Sequence, residues 1–248
     1  MGQLDNQVCV VTGGSHGIGE AIARGFAAEG ASVAITYRPG EPEPDGIVDA
    51  LSRTGRPALA VPMEAGDPES IRAAFTAIKD RLGVPDVLVA NAGYAEIRPV
   101  TELTIEEFDR MVAVHLRGTF LCVQAVLPGM VARGNGRIIT IGSQIAYIGA
   151  EGLAHYTAAK AGIIGFTRSL AREVIRDGVH VNCIAPGAVS TGIIPSTPED
   201  DAQLLAQIPI GRFGRPEEIV PTALLLATSA GDFYVGQVLS PNGGEVML

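Results

Sequence analysis

Short apolar runs alternate with longer stretches of helical periodicity along most of the chain. Val8–Val11 is the first run, and Ile18, Ile22 and Phe26 then recur on one helical face. The alternation predicts strands at Val8–Val11, Ser32–Tyr37, Ala58–Pro62, Val87–Ala90, 137–141, 179–185 and 237–240. It predicts a loop over 39–46 and helices over 17–29, from Asp67, over 104–133 and 154–176, and from Pro216.

Apolar strands that alternate with helices predict a parallel sheet with helices on both faces. No change of composition divides the chain, so we expect one domain over residues 1–248, a Rossmann-like, doubly wound α/β fold of about seven strands. Ligands of such sheets bind at the carboxyl ends of the strands. Candidate chemistry is therefore expected after Val11, Tyr37, Pro62, Ala90, Ile141 and Ala185.

Composition narrows the class of protein. The 248 residues are 47% hydrophobic and 18% charged, which excludes a disordered chain. A net charge of −9 is unfavourable for binding to a phosphate backbone, so we expect no nucleic-acid partner. Only three cysteines are present, Cys9, Cys122 and Cys183, and their apolar surroundings favour buried thiols over disulfides or nucleophiles.

Targeting signals are not evident in the sequence. No run approaches the ~18 apolar residues of a membrane span, and the first residues lack the basic and apolar segments of an export signal. We therefore expect a cytoplasmic protein without a membrane partner. The four histidines are scattered and no cysteine pair occurs, so no metal site is expected.

A glycine-rich turn follows the first predicted strand. The segment Thr12-Gly-Gly-Ser-His-Gly-Ile-Gly19 opens the first helix, whose free N–H groups and positive dipole end suit an anion. An ordinary tight turn has the same composition, but this position is the usual one for dinucleotide binding. Candidate cofactor contacts here are Gly13, Ser15, His16, Gly17, Ile18 and Gly19.

Tyr156 and Lys160 share one face of a predicted helix, one turn apart. A phenol is too weak an acid for proton exchange at neutral pH, and a nearby ammonium lowers its pKa. Such pairs also occur on ordinary helix surfaces. Ser143, which follows the fifth strand at the edge where ligands bind, favours the catalytic interpretation because its hydroxyl can bond a substrate oxygen.

These motifs together resemble the short-chain dehydrogenase/reductase family. The match rests on Thr12-Gly-x-x-x-Gly-Ile-Gly, Asn91-Ala92-Gly93, Ser143, Tyr156-x-x-x-Lys160 and Pro186-Gly187, and it extends to Asn242-Gly243-Gly244 near the end of the chain. The resemblance implies hydride transfer between a nicotinamide cofactor and a carbon that bears oxygen. It implies Tyr156 as general acid/base, Lys160 as its partner and a ribose ligand, and Ser143 as the group that orients the substrate.

One position departs from the family pattern. His115 stands where relatives usually carry an asparagine that holds a water in the proton relay. Imidazole can donate and accept protons, so His115 is a candidate relay residue that adds pH dependence; a half-buried structural histidine is the alternative. His155, next to Tyr156, is expected to point away into the substrate cleft or to the surface.

The cofactor phosphate is assigned from the end of the second strand. Tyr37 occupies the position where an acidic residue would select NAD, and Arg38 follows it, so NADP(H) is favoured over NAD(H). Glu41 and Glu43 would oppose a phosphate. By resemblance, the remaining cofactor contacts are Glu64, Ala65, Asn91, Ala92, Gly93, Pro186, Gly187, Val189 and Thr191.

The substrate is expected to be a ketone or secondary alcohol of moderate size beneath a lid at about 190–213. Ile145, Tyr147, Ile148, Ile193 and Ile194 either line its pocket or belong to the packing. The alternatives are an NAD-dependent alcohol dehydrogenase and a nucleotide-binding protein of the same fold without activity; a related epimerase or dehydratase usually needs a longer C-terminal region. The resemblance implies a homotetramer built on the long helices 104–133 and 154–176 and the last strand.

Overall fold

A seven-stranded parallel sheet forms the centre of the protein. We describe residues 2–192 and 197–247 in a computed structural model. The strands follow the order β3-β2-β1-β4-β5-β6-β7, and every neighbouring pair is parallel. They are β1 (Val8–Val11), β2 (Ser32–Tyr37), β3 (Ala58–Pro62), β4 (Val87–Ala90), β5 (Gly136–Ile141), β6 (Val179–Ile184) and β7 (Val238–Leu239).

Helices cover both faces of this sheet. They are α1 (Gly17–Ala28), α2 (Asp45–Ser52), α3 (Pro68–Leu82), α4 (Ile105–Val112), α5 (Gly118–Arg133), α6 (Ile145–Ile148), α7 (Ala154–Val174), α8 (Pro198–Leu205) and α9 (Val220–Ala227). The predicted starts of two helices are confirmed by their caps. Asp67 accepts N–H bonds from Glu69 and Ser70, and Thr104 forms a capping box with Glu107.

Two apolar layers hold the helices to the sheet. One face of the sheet packs on α1 and α9 through residues such as Ile22, Phe26 and Leu226. The other face packs on α3, α5 and α7 through residues such as Ile78 and Val126. Both faces of the strands are therefore buried, which explains why the strands are almost continuously apolar in sequence. The doubly wound fold predicted from the sequence is confirmed.

The boundaries differ from the predicted ones at several places. The first four strands are confirmed, but β7 covers only Val238–Leu239, and β6 ends one residue early at Ile184. Helix α2 begins at Asp45, inside the predicted loop. The long helix contains a π-helical turn, Ala113–Arg117, between α4 and α5, and the last helix begins with a 3₁₀ turn, Pro216–Glu218.

The stretch Ile105–Arg133 has the length and apolar composition of a membrane span. The expectation that no segment of the chain meets this criterion is therefore wrong. The stretch passes this test by composition only, as core helices commonly do. Cys122, Val126 and Met130 of this stretch are buried in the apolar layer that lies on the sheet. Because these residues pack against the sheet, the length and composition of the stretch are weak evidence for a membrane span.

Strand order places a crevice beside β1. The chain proceeds from β1 outward to β3 and then returns to β4 on the other side of β1. Loops after β1 and β4 therefore separate on opposite faces, and the carboxyl ends of these strands border an open crevice. The glycine-rich turn, residues 91–93 and Ser143 all follow strands at this edge.

Candidate active site

The glycine-rich turn after β1 is shaped by positions that exclude side chains. Gly13 and Gly17 have φ values of +62° and +57°, which strongly favour glycine. A Cβ at Gly19 would lie 2.2 Å from the carbonyl oxygen of Gly13. Thr36, in β2, fixes the turn by accepting the Gly13 N–H at its hydroxyl and the Gly14 N–H at its carbonyl.

Residues after β4 brace the same turn. The Thr12 hydroxyl accepts the N–H groups of Asn91 and Ala92 at 2.9 and 3.0 Å. The Asn91 side-chain amide donates to the carbonyls of Thr12 and Gly13 at 2.9 and 3.0 Å. The turn and the segment 91–93 thus form one rigid wall of the crevice. Sequence analysis did not assign these bracing roles to Thr12 and Thr36.

The start of α1 is open to an anion. His16 is the N-cap residue, and its side chain makes no capping hydrogen bond in the structure. Its ring nitrogen lies 3.1 Å from the Ser15 hydroxyl, at an exposed position. A glycine-rich turn that leads into an uncapped helix start fits a diphosphate, which the main-chain N–H groups and the helix dipole would bind.

Ser143, Tyr156 and Lys160 meet at the carboxyl end of β5. The Lys160 ammonium is buried, donates to the Ile141 carbonyl at 2.8 Å and lies 5.6 Å from the centroid of the Tyr156 ring. The Ser143 hydroxyl is also buried and accepts the Ile145 N–H at 3.3 Å. The predicted one-turn separation on α7 is therefore present, with Ser143 facing the phenol.

Burial controls the acidity of this pair. It raises the pKa of Tyr156 to about 12, against a smaller lowering by the hydrogen bond with Ser143. It lowers the pKa of Lys160 to about 8. The net pKa of Tyr156 is therefore raised and not lowered as expected, because desolvation of the phenolate dominates in the protein without its cofactor. Tyr156 is a protonated phenol at neutral pH, and such a group can donate a proton to a carbonyl oxygen.

His115 projects from the π-helical turn toward the same centre. Its ring packs edge-on against Tyr156, with 5.3 Å between centroids. Its Nε2 lies 2.7 Å from the Tyr94 carbonyl oxygen and 3.2 Å from the Tyr94 N–H. The carbonyl contact is the shorter one and its oxygen can only accept, so we assign the proton to Nε2. The Nδ1 lone pair is buried and has no partner in the described chain. A Cβ at Gly93 would lie 2.3 Å from this ring, which explains the glycine.

The imidazole does not titrate near neutral pH. Burial and the charge of Lys160 lower the pKa of His115 from 6.5 to about 3. The predicted pH dependence from His115 is therefore wrong, since a neutral ring persists across the physiological range. A neutral relay residue and a structural residue remain as its interpretations. The Nδ1 lone pair is available to accept one hydrogen bond.

His155 is buried, with 1% of its surface exposed. The expectation of a surface position is wrong for this residue. Burial lowers the pKa of His155, while the carboxylates of Glu96 and Glu107 raise it. Its Nδ1 finds no hydrogen-bond partner among residues 2–192 and 197–247.

Acidic groups surround the predicted phosphate position. The exposed Arg38 guanidinium lies 3.7 Å from the Glu64 carboxylate. The pKa of Tyr37 is raised by burial and by the negative charges of Glu43 and Asp45. The candidate phosphate ligand thus already has an anionic partner. Ala65 lies behind this pair, with its carbonyl against Gly118.

The segment after β6 lies beside the glycine turn. The Pro186 carbonyl accepts the Gln144 N–H, and the Gly187 N–H donates to Pro241. Val189 pairs with Gly214 in an isolated bridge. A Cβ at Gly17 would lie 3.3 Å from the Thr191 side chain. Thr191 thus lies against the glycine turn, whereas Pro186, Gly187 and Val189 contact the segments that carry Gln144, Pro241 and Gly214.

The lid region is partly described. Helix α8 begins with a capping box between Thr197 and Asp200 and presents an acidic first turn. Ile193 and Ile194, which were considered for the substrate pocket, lie outside the described residues. Ile148 is exposed, whereas Ile145 and Tyr147 are half-buried at the mouth of the site.

The three cysteines are free and buried, as expected for packing residues. Within the described ranges, no group of three His, Cys, Asp or Glu side chains is placed to hold a metal ion.

Comparisons with known proteins agree with this geometry. A family model described as enoyl-(acyl carrier protein) reductase matches residues 13–245. A 3-oxoacyl-(acyl-carrier-protein) reductase from Vibrio cholerae is 39% identical, with 99% of each chain covered. A hydroxy(phenyl)methylsuccinyl-CoA dehydrogenase subunit from Thauera aromatica is 38% identical, over 98% of this chain and 97% of its own.

The fold is shared with a solved relative of known ligand. The structure of a blue fluorescent protein from a metagenomic library, in complex with NADPH, superimposes with a TM-score of 0.94 at 35% identity. The alignment covers 99% of this chain and 100% of the other. Sequence and fold therefore lead to one assignment: the chain belongs to the short-chain dehydrogenase/reductase family and is an NAD(P)-dependent oxidoreductase.

Proposed function

We propose that this enzyme transfers a hydride between NADP(H) and a ketone or secondary alcohol, with Tyr156 as general acid/base. The observation that carries the proposal is the convergence of Ser143, Tyr156 and Lys160 at the carboxyl end of β5, beside the glycine turn. When bound, the cofactor supplies or accepts the hydride. Every other step is carried by side chains of this chain.

The proton steps follow from the burial of the site. Ser143 donates a hydrogen bond to the substrate oxygen and orients it, and the protonated Tyr156 delivers its proton to that oxygen in the reductive direction. Lys160 binds the nicotinamide ribose and stabilises the phenolate left on Tyr156. After this step the phenolate of Tyr156 must regain a proton. We assign to His115 Nδ1 the role of accepting a hydrogen bond from the group that supplies this proton.

The cofactor is bound along the crevice. We assign the diphosphate to Gly13, Ser15, His16, Gly17, Ile18 and Gly19, and the adenosine half to Tyr37, Arg38, Glu64 and Ala65. The ribose and nicotinamide are assigned to Asn91, Ala92, Gly93, Pro186, Gly187, Val189 and Thr191. The glycine-rich turn and the uncapped start of α1 support this assignment.

NADP(H) is preferred over NAD(H) in this proposal. Arg38 supplies the cation for a 2′-phosphate, and the solved relative contains NADPH. The acidic side chains of Glu43, Asp45 and Glu64 near this position favour the alternative, an NAD-dependent alcohol dehydrogenase. Affinity for both cofactors decides between them.

The substrate remains a class, since the named relatives act on different carriers of the reacting group. We assign residues 190–213 to a substrate lid and treat residues 1–248 as one domain that both binds the cofactor and catalyses the reaction. A homotetramer in the cytoplasm completes the proposal. The half-exposed pair Phe120 and Phe166, on α5 and α7, supports an interface on the long helices.

A spectrophotometric screen of carbonyls and alcohols with both cofactors tests the proposal. Turnover should appear with at least one ketone or secondary alcohol, and Tyr156→Phe should lose turnover while it retains cofactor binding. Binding without turnover across a broad panel would instead support a catalytically silent nucleotide-binding protein.

A further inference from the structure

The residue that follows Ser143 has an unusual environment. Gln144 is 3% exposed, and its main-chain N–H donates to the Pro186 carbonyl. Its side-chain Nε2 donates to a carboxylate oxygen of Glu245 at 2.5 Å, across 101 residues of sequence. A side chain beside the candidate active site is therefore held by the C-terminal segment.

Glu245 fixes which way the amide of Gln144 points. A carboxylate only accepts hydrogen bonds, so the NH₂ group must face Glu245 and the carbonyl oxygen must face the other way. That oxygen is buried and has no partner in the part of the chain that the structure describes. It lies against Gly187, where an added Cβ would be 3.0 Å away. The hydrogen bond between Glu245 and Gln144 thus holds the side-chain carbonyl of Gln144 against the main chain of Gly187.

The C-terminal turn that carries Glu245 is itself rigid. Asn242 accepts the Gly244 N–H at 2.9 Å and donates to the Val246 carbonyl at 2.7 Å. The neighbouring Pro241 carbonyl accepts the Gly187 N–H. The Gly243 carbonyl accepts the Ile210 N–H from the end of the assigned lid. Glu245 is therefore placed by a turn that contacts both the segment after β6 and the lid.

We propose that Glu245 is a positioning residue that, through Gln144, sets the segment 186–189 for the nicotinamide end of the cofactor. The inference rests on the proposed function. Hydride transfer requires the reactive ring carbon to contact the substrate carbon whose oxygen Ser143 and Tyr156 hold. The main chain that follows Ser143 and the segment it bonds must then border the nicotinamide. The adenosine half binds at the other end of the crevice, beyond the influence of Glu245.

Two ligands distinguish an effect at the nicotinamide end of the crevice from an effect at the adenosine end. NADPH carries the nicotinamide, whereas 2′-phospho-ADP-ribose carries only the adenosine half and the diphosphate. In Glu245→Ala, the dissociation constant for NADPH should rise about tenfold, the usual effect of losing a hydrogen bond to a charged group. The constant for 2′-phospho-ADP-ribose should stay unchanged. Titration calorimetry measures both.

Conservative variants distinguish positioning from general stability. Glu245→Gln keeps an oxygen acceptor for Gln144 and should restore most of the NADPH affinity. Gln144→Met, which removes the amide at similar volume, should reproduce the selective loss, and its effect should not add to that of Glu245→Ala. Met247→Ala, at an exposed neighbouring position, is the matched control and should bind both ligands as the wild type does.

The outcomes separate the two proposals. Equal weakening of both ligands, or no change in NADPH affinity, overturns the positioning role of Glu245. Failure of the wild-type protein to bind either NADP(H) or NAD(H) overturns the proposed function instead. If circular dichroism shows Glu245→Ala to be unfolded, Gln144→Met decides the question by the same pair of ligands.

Discussion

At the scale of single residues, burial overrides the charge pairing that sequence spacing suggests. Tyr156 and Lys160 are one helical turn apart, yet desolvation raises the pKa of Tyr156 and lowers that of Lys160. Both shifts favour the uncharged form of the group. The same effect keeps His115 neutral. At neutral pH Tyr156 and His115 are therefore uncharged, and Lys160, with a pKa of about 8, carries the charge of this group.

Lys160 predicts a specific pH dependence of stability. Its pKa is about 8 in the folded protein and 10.5 ordinarily, so between these values the unfolded chain binds the extra proton. Stability from this group therefore increases with pH across that window. From pH 8 to pH 10 the free energy of unfolding should gain about 2 kcal/mol from Lys160. The raised pKa values of Tyr156 and of the buried thiols of Cys9, Cys122 and Cys183 act in the opposite direction, because these groups ordinarily ionise near pH 10.0 and 9.0 and stay protonated in the folded chain.

Urea unfolding of Lys160→Met and wild type at pH 7, 8, 9 and 10 measures this contribution. The variant loses the bond to the Ile141 carbonyl, so its absolute stability is not the criterion. Those opposing groups are present in both proteins, so the stability of the wild type relative to the variant should rise by about 2 kcal/mol between pH 8 and 10. Parallel pH profiles for the two proteins would show that Lys160 is not shifted in this way.

His115 predicts an effect on turnover without an effect on pH dependence. His115→Ala should lower kcat roughly tenfold, less than the ~100-fold or more of a group that itself transfers the proton to substrate, and leave the cofactor dissociation constant unchanged. Because the pKa of His115 is about 3, neither protein should show an imidazole inflection between pH 6 and 9. An unchanged kcat in His115→Ala would show that the imidazole takes no part in the mechanism. A pH inflection between 6 and 9 that is present in the wild type and absent from the variant would show that the imidazole does titrate there.

At the scale of elements, we propose that the residues after β2 and β3 determine which cofactor is bound. Arg38 lies 3.7 Å from Glu64, and both side chains are largely exposed, so the pair is weak and a 2′-phosphate can replace the carboxylate. The two elements thus place a cation and its competitor at one position.

Two substitutions should move affinity in opposite directions. Arg38→Ala should raise the dissociation constant for NADP roughly tenfold, because a charge-assisted bond to phosphate is lost, and leave NAD unaffected. Glu64→Gln should lower the constant for NADP by about threefold, since the competing charge is removed. Glu69→Gln, which removes a similar carboxylate paired with Arg72 on α3, is the control. Equal effects on NAD and NADP would contradict a phosphate contact at Arg38.

The sequence predicted the elements better than the contacts between them. Strands β1 to β4 were placed correctly because both faces of a parallel strand are buried and leave a continuous apolar run. Helix α2 was missed because it has only eight residues and begins within a Pro- and Gly-rich stretch, although Ile47, Val48 and Leu51 keep helical spacing. The π-helical turn at His115 and the bond between Gln144 and Glu245 depend on packing between distant segments, which no local pattern encodes.

At the scale of the whole molecule, an apolar surface remains on the long helices. Ile105 and Phe108 on α4 and Phe120 on α5 are 75%, 41% and 42% exposed. The Phe120 ring stacks edge-on against Phe166 of α7, with centroids 6.2 Å apart. Of these residues, Phe120 adjoins another large apolar side chain, Phe166, and such exposed apolar contacts are typical of protein interfaces. This surface agrees with the homotetramer that we propose.

Phe120→Glu should therefore weaken assembly. A carboxylate at the centre of an apolar interface is desolvated without a partner, which destabilises association far more than the isolated subunit. Light scattering after size exclusion should find a tetramer for the wild type and smaller species for the variant at equal concentration. Ser52→Glu, which adds the same charge at an exposed position of α2, on the other face of the sheet, should remain tetrameric. A wild-type monomer would refute the proposed assembly, and a tetrameric Phe120→Glu would place the interface elsewhere on the surface.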